Sequence, residues 1–288
     1  MEPRIGFIGA GKVGFSLGKF FTAAGFTVTG YYSRHLESAN EAAKFTDTKS
    51  FTEFKDIVKE SDALFLTVPD GELLFVYESI KGMLEAGKQI CHCSGALSAA
   101  EAFPQIEETG AFGYSIHPLF PISSKLTSYR ELPGAFFCLE GNGPHLPEWK
   151  QRLEKLGPKV QIIDSSCKVK YHAACAISSN LVCGLVQESV ELLMQSGFSQ
   201  ELALQALTPL IKSNMEHIIS EGPKQALTGP MERGDVKTVE KHLQCFATEE
   251  ERALYYSVSR KLLDLAKMKN QDRDYHSMEG MLDNYAGK

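Results

Sequence analysis

Three glycines near the start of the chain have the spacing that phosphate binding requires. They belong to a G-x-G-x-x-G motif made of Gly9, Ala10, Gly11, Lys12, Val13 and Gly14. The first glycine permits a tight turn, the second lets a pyrophosphate approach the backbone, and the third lets a helix pack closely on a strand. Free amides and the positive dipole end of the helix that follows would hold the phosphates. The motif predicts a nicotinamide-type dinucleotide site, with a tight turn in a nucleotide-free α/β fold as the alternative.

Ser33 and Arg34 lie about 20 residues beyond the glycines, where the second predicted strand ends. An NAD-binding unit usually has an acidic residue here that bonds the ribose 2′-hydroxyl. This strand has no acidic residue before Glu37. A hydroxyl and a guanidinium instead suit a 2′-phosphate. We therefore predict NADP(H) rather than NAD(H) as the cofactor, with a solvated surface arginine as the alternative interpretation of Arg34.

Two loops after later strands are predicted to complete the cofactor site. Val68, Pro69 and Asp70 follow an apolar strand, and Ser94 and Gly95 follow the strand predicted at residues 89–92. Open α/β sheets bind ligands at the carboxyl ends of their parallel strands. We predict that the first loop covers the cofactor and that Ser94 and Gly95 lie near the nicotinamide. A plain turn is the alternative for the first loop.

His117 and Pro118 follow a strand predicted over residues 111–116. Proline fixes the backbone at Pro118 and again at Pro121, so the loop is predicted to hold His117 at the mouth of the cleft. His117 and Pro118 are therefore candidate substrate contacts. A structural, hydrogen-bonded histidine is the alternative.

Polar side chains recur at helical spacing further along the chain. On a helix, His172, Ala176 and Asn180 would share one face, with Ser179 beside it and Lys168 one turn earlier. Buried polar groups need hydrogen-bond partners, which a substrate or a cofactor amide would supply. A hydrogen bond between helices is the alternative.

Asn214, Thr228 and Arg233 are the remaining candidate substrate ligands. Thr228 and Arg233 flank a Gly-Pro loop, and Asp235 is predicted to cap the helix that follows. A planar guanidinium binds a carboxylate bidentately, so Arg233 is the candidate carboxylate ligand. An ion pair with a neighbouring acidic residue is the alternative.

The elements that must position these residues form two parts. Apolar strands alternate with amphipathic helices up to residue 165, as in a doubly wound α/β sheet. Strand signals then vanish, and helices are predicted over residues 167–196, 199–220, 236–246 and 248–269, before a polar tail. We predict a Rossmann domain over residues 1–165 and an all-helical domain over residues 166–288.

Composition argues against several classes of protein. The 288 residues are 43% hydrophobic and 23% charged, as in ordinary soluble domains. A net charge of −6 without a long basic run argues against nucleic-acid or membrane binding, and we find no apolar stretch of about 18 residues. Seven cysteines in apolar settings predict reduced, buried thiols in a cytoplasmic protein. Cys91-His92-Cys93 has no second pair at zinc spacing, so no metal site is predicted.

Short motifs over nearly the whole chain resemble one superfamily. Besides the glycine motif they are His92-x-Ser94-Gly95-Ala96-Leu97, His117-Pro118-Leu119, Tyr171-His172-Ala173-Ala174, Ser179-Asn180 and Leu227-Thr228-Gly229-Pro230-x-x-Arg233-Gly234-Asp235. The chain resembles the 6-phosphogluconate dehydrogenase C-terminal-like superfamily, in which an NADP-binding Rossmann domain precedes an all-helical domain. Within it, the chain resembles a branch with a C-terminal domain of unknown function, similar to ketopantoate reductase and pyrroline-5-carboxylate reductase.

The resemblance implies an NADPH-dependent reductase of a small 2-keto acid, with ketopantoate (2-dehydropantoate), an intermediate of pantothenate biosynthesis, as the first candidate. In ketopantoate reductases, a catalytic lysine and an asparagine occupy the positions of His172 and Asn180, so this chain has histidine where they have lysine. His172 or Lys168 would donate the proton, Asn180 would orient the carbonyl, and Arg233 would hold the carboxylate.

Two other functions remain open from the sequence. One is reduction of a cyclic imine of the pyrroline-5-carboxylate type, and the other is non-catalytic NADP(H) binding or redox sensing. The resemblance also implies a homodimer built through the helical domain.

Overall fold

The computed structural model describes residues 2–285, and its first part contains one eight-stranded sheet. The strands are β1 (Ile5–Ile8), β2 (Val28–Tyr32), β3 (Lys49–Phe51), β4 (Ala63–Leu66), β5 (Gln89–His92), β6 (Phe112–Leu119), β7 (Phe136–Gly141) and β8 (Lys159–Ile162). Their order across the sheet is β3-β2-β1-β4-β5-β6-β7-β8, and only β6 and β7 pair antiparallel. The order runs outward from β1 in both directions, which confirms the predicted doubly wound α/β fold.

Helices join these strands and cover both faces of the sheet. They are α1 (Lys12–Ala23), α2 (Leu36–Thr46), α3 (Phe54–Glu60), α4 (Asp70–Lys81), α5 (Ala99–Ala102), α6 (Leu146–Lys155) and α7 (Lys168–Ser178). One core contains the aromatic rings of Phe7, Phe65 and Trp149, and the other contains Leu64 and Tyr77. Because neighbouring residues of β4 point into different cores, the strand is apolar without a break.

The end of β6 differs from the loop predicted at His117 and Pro118. β6 continues to Leu119, with His117 opposite Cys138 of β7. Its pairing with β5 stops at Ser115, so β6 has a free edge on that side beyond this residue. A proline, which lacks a backbone donor, is tolerated on such an edge. Antiparallel pairing with β7 therefore extends the strand through the predicted loop.

The second part of the chain is helical, as predicted. Its helices are α8 (Asn180–Gln195), α9 (Gln200–Glu221), α10 (Pro223–Ala226), α11 (Pro230–Arg233), α12 (Val236–Cys245), α13 (Glu249–Lys269) and α14 (His276–Asp283). Asp235 caps α12 as predicted, since its carboxylate accepts from Thr238 N at 3.1 Å. The polar tail is more ordered than its composition indicates, because Met278 and Leu282 of α14 are buried.

The helix predicted over residues 167–196 is two helices. α7 ends at Ser178, Ser179 has φ −128° and ψ −80°, and Asn180 opens α8. Contacts divide the chain at this break into a first unit that ends at Ser179 and a second that begins at Asn180, whereas the sequence predicts a boundary after residue 165. The difference is α7, which belongs to the first unit because its Lys168 side chain is buried against β6.

Apolar side chains are unusually exposed around this break and beyond it. By length and composition alone, the run Ser165–Gln195 is a candidate membrane span in the described part of the chain, although only 6% of its most apolar window is buried. From the sequence we predict no such stretch. Four charged residues interrupt the run, at Lys168, Lys170, Glu188 and Glu191. In α9, Leu210 and Ile219 are 67% and 83% exposed.

The cysteines are less buried than their settings predict. Cys91 and Cys138 are buried in the sheet, but Cys167, Cys183 and Cys245 are exposed. Cys167 lies in the short turn before α7, and Cys245 is the last residue of α12, where its thiol donates to the carbonyl of His242. Helix ends and exposed helix faces leave these thiols outside the cores.

Candidate functional site

The glycine motif forms the turn between β1 and α1. Gly9 has φ +112°, and a Cβ there would lie 2.6 Å from the carbonyl oxygen of Thr67. A Cβ at Gly14 would lie 2.4 Å from the oxygen of Gly9, whereas one at Gly11 would meet no atom within 4 Å. Gly9 and Gly14 are therefore required by the turn itself. Gly11 leaves open space in front of the first turn of α1, as the motif predicts for a site that receives phosphate.

A pocket of about 620 Å³ opens in front of this turn. It is lined by the glycine turn, the end of β2, the end of β4, the start of α4 and Lys125. Seven predicted cofactor residues line it: Gly9, Ala10, Gly11, Ser33, Arg34, Val68 and Pro69. Lys12, Val13 and Gly14 form the first turn of α1 behind this lining. The pocket has the size of a small-molecule or cofactor site.

Ser94 and Asp70 join two loops at the carboxyl end of the sheet. The Ser94 hydroxyl donates to a carboxylate oxygen of Asp70 at 2.7 Å and accepts from the amides of Ala96 and Leu97. The Ser94 amide donates to Nδ1 of His92 at 3.1 Å. These four bonds fix the turn that carries Gly95. Asp70 and Ser94, both predicted to bind cofactor, therefore contact each other.

Two imidazoles from different elements close around Gly95. A Cβ at Gly95 would lie 2.6 Å from Cδ2 of His172 and 3.0 Å from Nε2 of His117. Nδ1 of His117 is 2.7 Å from the hydroxyl of Tyr171. Only glycine at this position leaves room for both rings. We call Gly95, His117, Tyr171 and His172 the imidazole cluster.

Burial controls the chemistry of the imidazole cluster. Burial and, second to it, the positive charge of Lys168 together lower the pKa of His117 to about 4. Burial also raises the pKa of the Tyr171 hydroxyl, which stays protonated. The phenol can therefore donate to Nδ1 of a neutral His117, and the ring proton is then on Nε2. His117 thus presents a neutral N–H donor toward Gly95.

Lys168 lies behind the imidazole cluster as a buried cation. Its side chain is 1% exposed, and its ammonium donates to Ser115 Oγ at 2.6 Å. The Ser115 hydroxyl donates in turn to the carbonyl of Ser94 at 3.4 Å. Burial lowers the pKa of Lys168, and the nearby carboxylates of Glu140 and Asp70 oppose this effect. Lys168 is therefore connected to the Ser94 turn through Ser115 and through its charge.

The spacing argument for Asn180 is wrong, because the continuous helix that it requires does not exist. His172 lies on α7 of the first unit, and Asn180 begins α8 of the second. Ser179 ends α7, and its hydroxyl donates to the carbonyl of Cys175 at 2.7 Å. The assignment of His172 and Asn180 to one helical face is thereby lost. The roles of Ser179 and Asn180 remain predictions.

The other predicted substrate ligands lie in the second unit. Asn214 is an exposed residue of α9, Thr228 is exposed between α10 and α11, and Arg233 is the exposed last residue of α11. Glu232, an alternative partner for Arg233, forms its ion pair with Arg273 at 3.2 Å. The substrate-binding roles of these three residues remain predictions.

Sequence reasoning missed Ser115 and assigned no role to Tyr171. Two spacings contain a signal for them. Ser115 and His117 are two apart on a strand and share a face. Lys168, Tyr171 and His172 are three and four apart on a helix and share another. Matching these two faces would have grouped the residues that the structure brings together.

Comparisons with known proteins agree with this architecture. Residues 2–118 match a Rossmann-like domain, and residues 135–262 match a domain of unknown function, DUF2520. The chain joins a Rossmann-like domain to a DUF2520 domain. The DUF2520 match begins before β7 and includes Lys168, Tyr171 and His172, so the family pattern extends across the break at Ser179. The two matches agree with the predicted order of a Rossmann domain followed by a domain of unknown function. No curated protein matches the sequence.

Solved structures share the fold over nearly the whole chain. Protein TM1727 from Thermotoga maritima superposes with a TM-score of 0.74 at 26% identity, covering 92% of this chain and 99% of its own. A candidate NADP oxidoreductase from Bacteroides fragilis, BF3122, gives 0.69 at 20% identity, with coverages of 91% and 98%. A pyrroline-5-carboxylate reductase from Coxiella burnetii gives 0.59 at 17% identity, with coverages of 93% and 99%.

Proposed function

We propose that the protein is an NADP(H)-dependent reductase that adds hydride to the carbonyl or imine carbon of a small carboxylate. One observation carries this proposal: the first unit combines a pocket at the glycine turn with the imidazole cluster at the carboxyl end of the same sheet. Doubly wound sheets place ligands at this end of their strands. The NADP oxidoreductase description of the Bacteroides protein supports the same cofactor.

The residues that line the pocket fit a phosphorylated dinucleotide. The open space at Gly11 and the amides at the start of α1 suit a pyrophosphate, and Ser33 and Arg34 suit a 2′-phosphate. Val68 and Pro69 would cover the nucleotide from the opposite wall. When bound, the cofactor supplies the hydride through its nicotinamide ring.

The imidazole cluster would bind and protonate the substrate. A neutral His117 can hold the oxygen or nitrogen of the reacting double bond through its Nε2–H. The His172 ring approaches the same position at Gly95, and imidazole is a common proton donor in such reactions. The buried ammonium of Lys168 adds a positive charge beside the imidazole cluster, which favours a substrate that carries a carboxylate. We propose His172 as the proton donor and His117 as the group that orients the substrate.

A cyclic imine is our first candidate substrate. The family resemblance makes ketopantoate the first candidate from the sequence, but the helix that would place His172 and Asn180 on one face breaks between them. The fold is shared with a pyrroline-5-carboxylate reductase, whose substrate is a cyclic imine with a carboxylate. Ketopantoate stays the second candidate because Lys168 places an ammonium beside the imidazole cluster, where it can attract the carboxylate of a keto acid.

Consumption of NADPH against a panel of cyclic imines and 2-keto acids, including pyrroline-5-carboxylate and ketopantoate, tests the proposal. We expect turnover with one compound class and a loss of about 100-fold in kcat for His172→Ala, since general acid catalysis contributes about that much. Lys170→Ala, an exposed change on the same helix, is the control. Tight NADPH binding without turnover by any compound would instead support the non-catalytic or sensing alternative.

We also propose a homodimer that forms through exposed apolar side chains of α8 and α9. Among them are Leu181, Leu185, Leu202, Leu210 and Ile219. Patches of this kind on a protein surface usually mark an interface. We expect a dimer in sedimentation at micromolar concentration, and a monomer for Leu210→Glu but not for Lys212→Glu on the same helix. A wild-type protein that sediments as a monomer would rule out the homodimer.

A further inference from the structure

We call the pocket in front of the glycine turn the nucleotide pocket. Its lining includes Lys125, which belongs neither to the glycine turn nor to the loop after β2. Lys125 lies in the segment of residues 120–127 between β6 and the short turn Ser128–Arg130. It lines the same pocket as Ser33, Arg34 and Ser38. The sequence contains no motif that connects this segment with the β2 loop, about 90 residues earlier.

The backbone around Lys125 is fixed on α1. The Ser16 hydroxyl of α1 contacts the carbonyl of Ser124 at 3.5 Å, and the Ser124 amide donates to the hydroxyl of the buried Ser128 at 3.1 Å. The Lys125 ammonium lies 4.8 Å from the centre of the Phe15 ring. The ammonium therefore packs against α1 at the pocket, while the side chain stays partly exposed to solvent.

The Lys125 ammonium also lies beside α2, the helix that follows Ser33 and Arg34. Its nitrogen is 3.2 Å from the carboxylate of Glu41 on α2. Ser38, three residues before Glu41 and therefore on the same helical face, lines the pocket. Arg34 lies in the loop before α2. Lys125 and Arg34 thus approach the first turns of α2 from two different segments.

We propose that Lys125 is a second cation for the 2′-phosphate of NADP(H) and that it determines the preference for NADP(H) over NAD(H). The proposal rests on the cofactor assigned under the proposed function. With the pocket empty, Glu41 neutralises the ammonium; with NADP(H) bound, the phosphate replaces Glu41 as its partner. A phosphate carries more charge than a carboxylate and forms stronger charge-assisted hydrogen bonds, so the exchange favours the phosphorylated nucleotide.

Nucleotide titrations with purified full-length protein test this role. For Lys125→Ala we expect NADPH to bind about 10-fold more weakly, the loss of one hydrogen bond to a charged group, while NADH binding changes by less than about 2-fold. Lys155→Ala removes an exposed lysine from α6, which packs on β7 and β8 at the other edge of the sheet, and should change neither affinity.

Glu41 provides a test of opposite sign. Glu41→Gln should strengthen NADPH binding by about 3-fold, because the ammonium loses a competing partner and the phosphate loses a nearby like charge. In the Lys125→Ala background the same change should have a smaller effect, since there is no ammonium to release.

The outcomes separate the two proposals. An unchanged ratio of NADPH to NADH affinity in Lys125→Ala overturns the role of Lys125, while a wild-type preference for NADPH leaves the proposed cofactor intact. Equal weakening of both nucleotides also overturns it, since the lysine then contacts a group that both share, such as the pyrophosphate. A wild-type protein that binds neither nucleotide overturns both the cofactor and the role of Lys125.

Discussion

Gly14→Ala is expected to lower the free energy of unfolding of the first unit by about 3 kcal/mol, the upper range for inserting a methyl group into a packed site. The new Cβ would lie 2.4 Å from the Gly9 oxygen and 2.6 Å from Thr67 Oγ1. Neither atom can easily move. The first is backbone, and the second donates a hydrogen bond to that same oxygen at 2.8 Å. Helix α1 would therefore have to shift away from β1 and β4.

Gly11→Ala is the matched control, because it separates folding from binding. A Cβ at Gly11 would meet no atom within 4 Å, and Gly11 has an ordinary φ of −83°. We expect the free energy of unfolding to change by less than about 1 kcal/mol. The methyl group would occupy the space through which a pyrophosphate approaches, so NADPH should bind at least about 100-fold more weakly.

Urea unfolding followed by tryptophan fluorescence measures the loss of stability in Gly14→Ala. NADPH titration measures the loss of affinity in Gly11→Ala. The chain has one tryptophan, Trp149, which is fully buried in the core of the first unit. Its emission therefore reports on this unit alone. A Gly14→Ala protein as stable as the wild type would show that the turn can relax. Unchanged NADPH binding by Gly11→Ala would show that the pyrophosphate does not bind at Gly11.

The sequence predicts the half of the site that depends on local geometry. The turn at Gly9 and Gly14 requires glycine whatever the remainder of the fold does, since the constraint comes from adjacent backbone. Helix capping is equally local, and Ser199 and Asp235 begin their helices where their side chains predict. Alternation of strands and helices then predicts the doubly wound sheet.

The remainder of the site depends on contacts distant in sequence. Antiparallel pairing with β7 turns the predicted loop at His117 into a strand, and a single break at Ser179 places α7 in the first unit. These two events bring His117 and Tyr171 together across 54 positions of the chain. Periodicity describes one element at a time, so it cannot show which faces meet. For the same reason Lys125 was not recognised as part of the pocket.

Lys168→Met is expected to reduce turnover by about 100-fold while NADPH affinity stays within about 2-fold of the wild type. Methionine fills a similar volume without a charge. The ammonium hydrogen bond to Ser115 and the positive charge beside the imidazole cluster would both be lost. Lys168 does not line the nucleotide pocket, so we expect the effect on the reaction and on the substrate carboxylate. Lys170→Met, an exposed change on α7, should have normal turnover.

The stability of Lys168→Met should stay close to that of the wild type. Replacing a buried charge by an apolar side chain of similar shape removes its desolvation cost, although it also leaves Ser115 and Glu140 without the cation. We expect a change in the free energy of unfolding of less than about 2 kcal/mol. A loss of activity accompanied by a native urea transition would therefore come from the site itself.

The pKa of His117 distinguishes a role of the Lys168 charge from a role in packing alone, because a packing role would leave this pKa unchanged. Burial is the main cause of its low pKa of about 4, and repulsion by Lys168 is the second. Removing the ammonium should therefore raise this pKa toward the ordinary value of about 6.5.

In the wild type, the unfolded chain binds a proton at this histidine between pH 6.5 and 4 while the folded chain does not, so stability falls as the pH is lowered through this window. The higher folded pKa in Lys168→Met should reduce that fall, and an NMR titration of the imidazole should show the same shift directly. A His117 signal that titrates as in the wild type, together with normal turnover, would confine Lys168 to packing, because charge at this distance can act on the reaction only if it also acts on the imidazole.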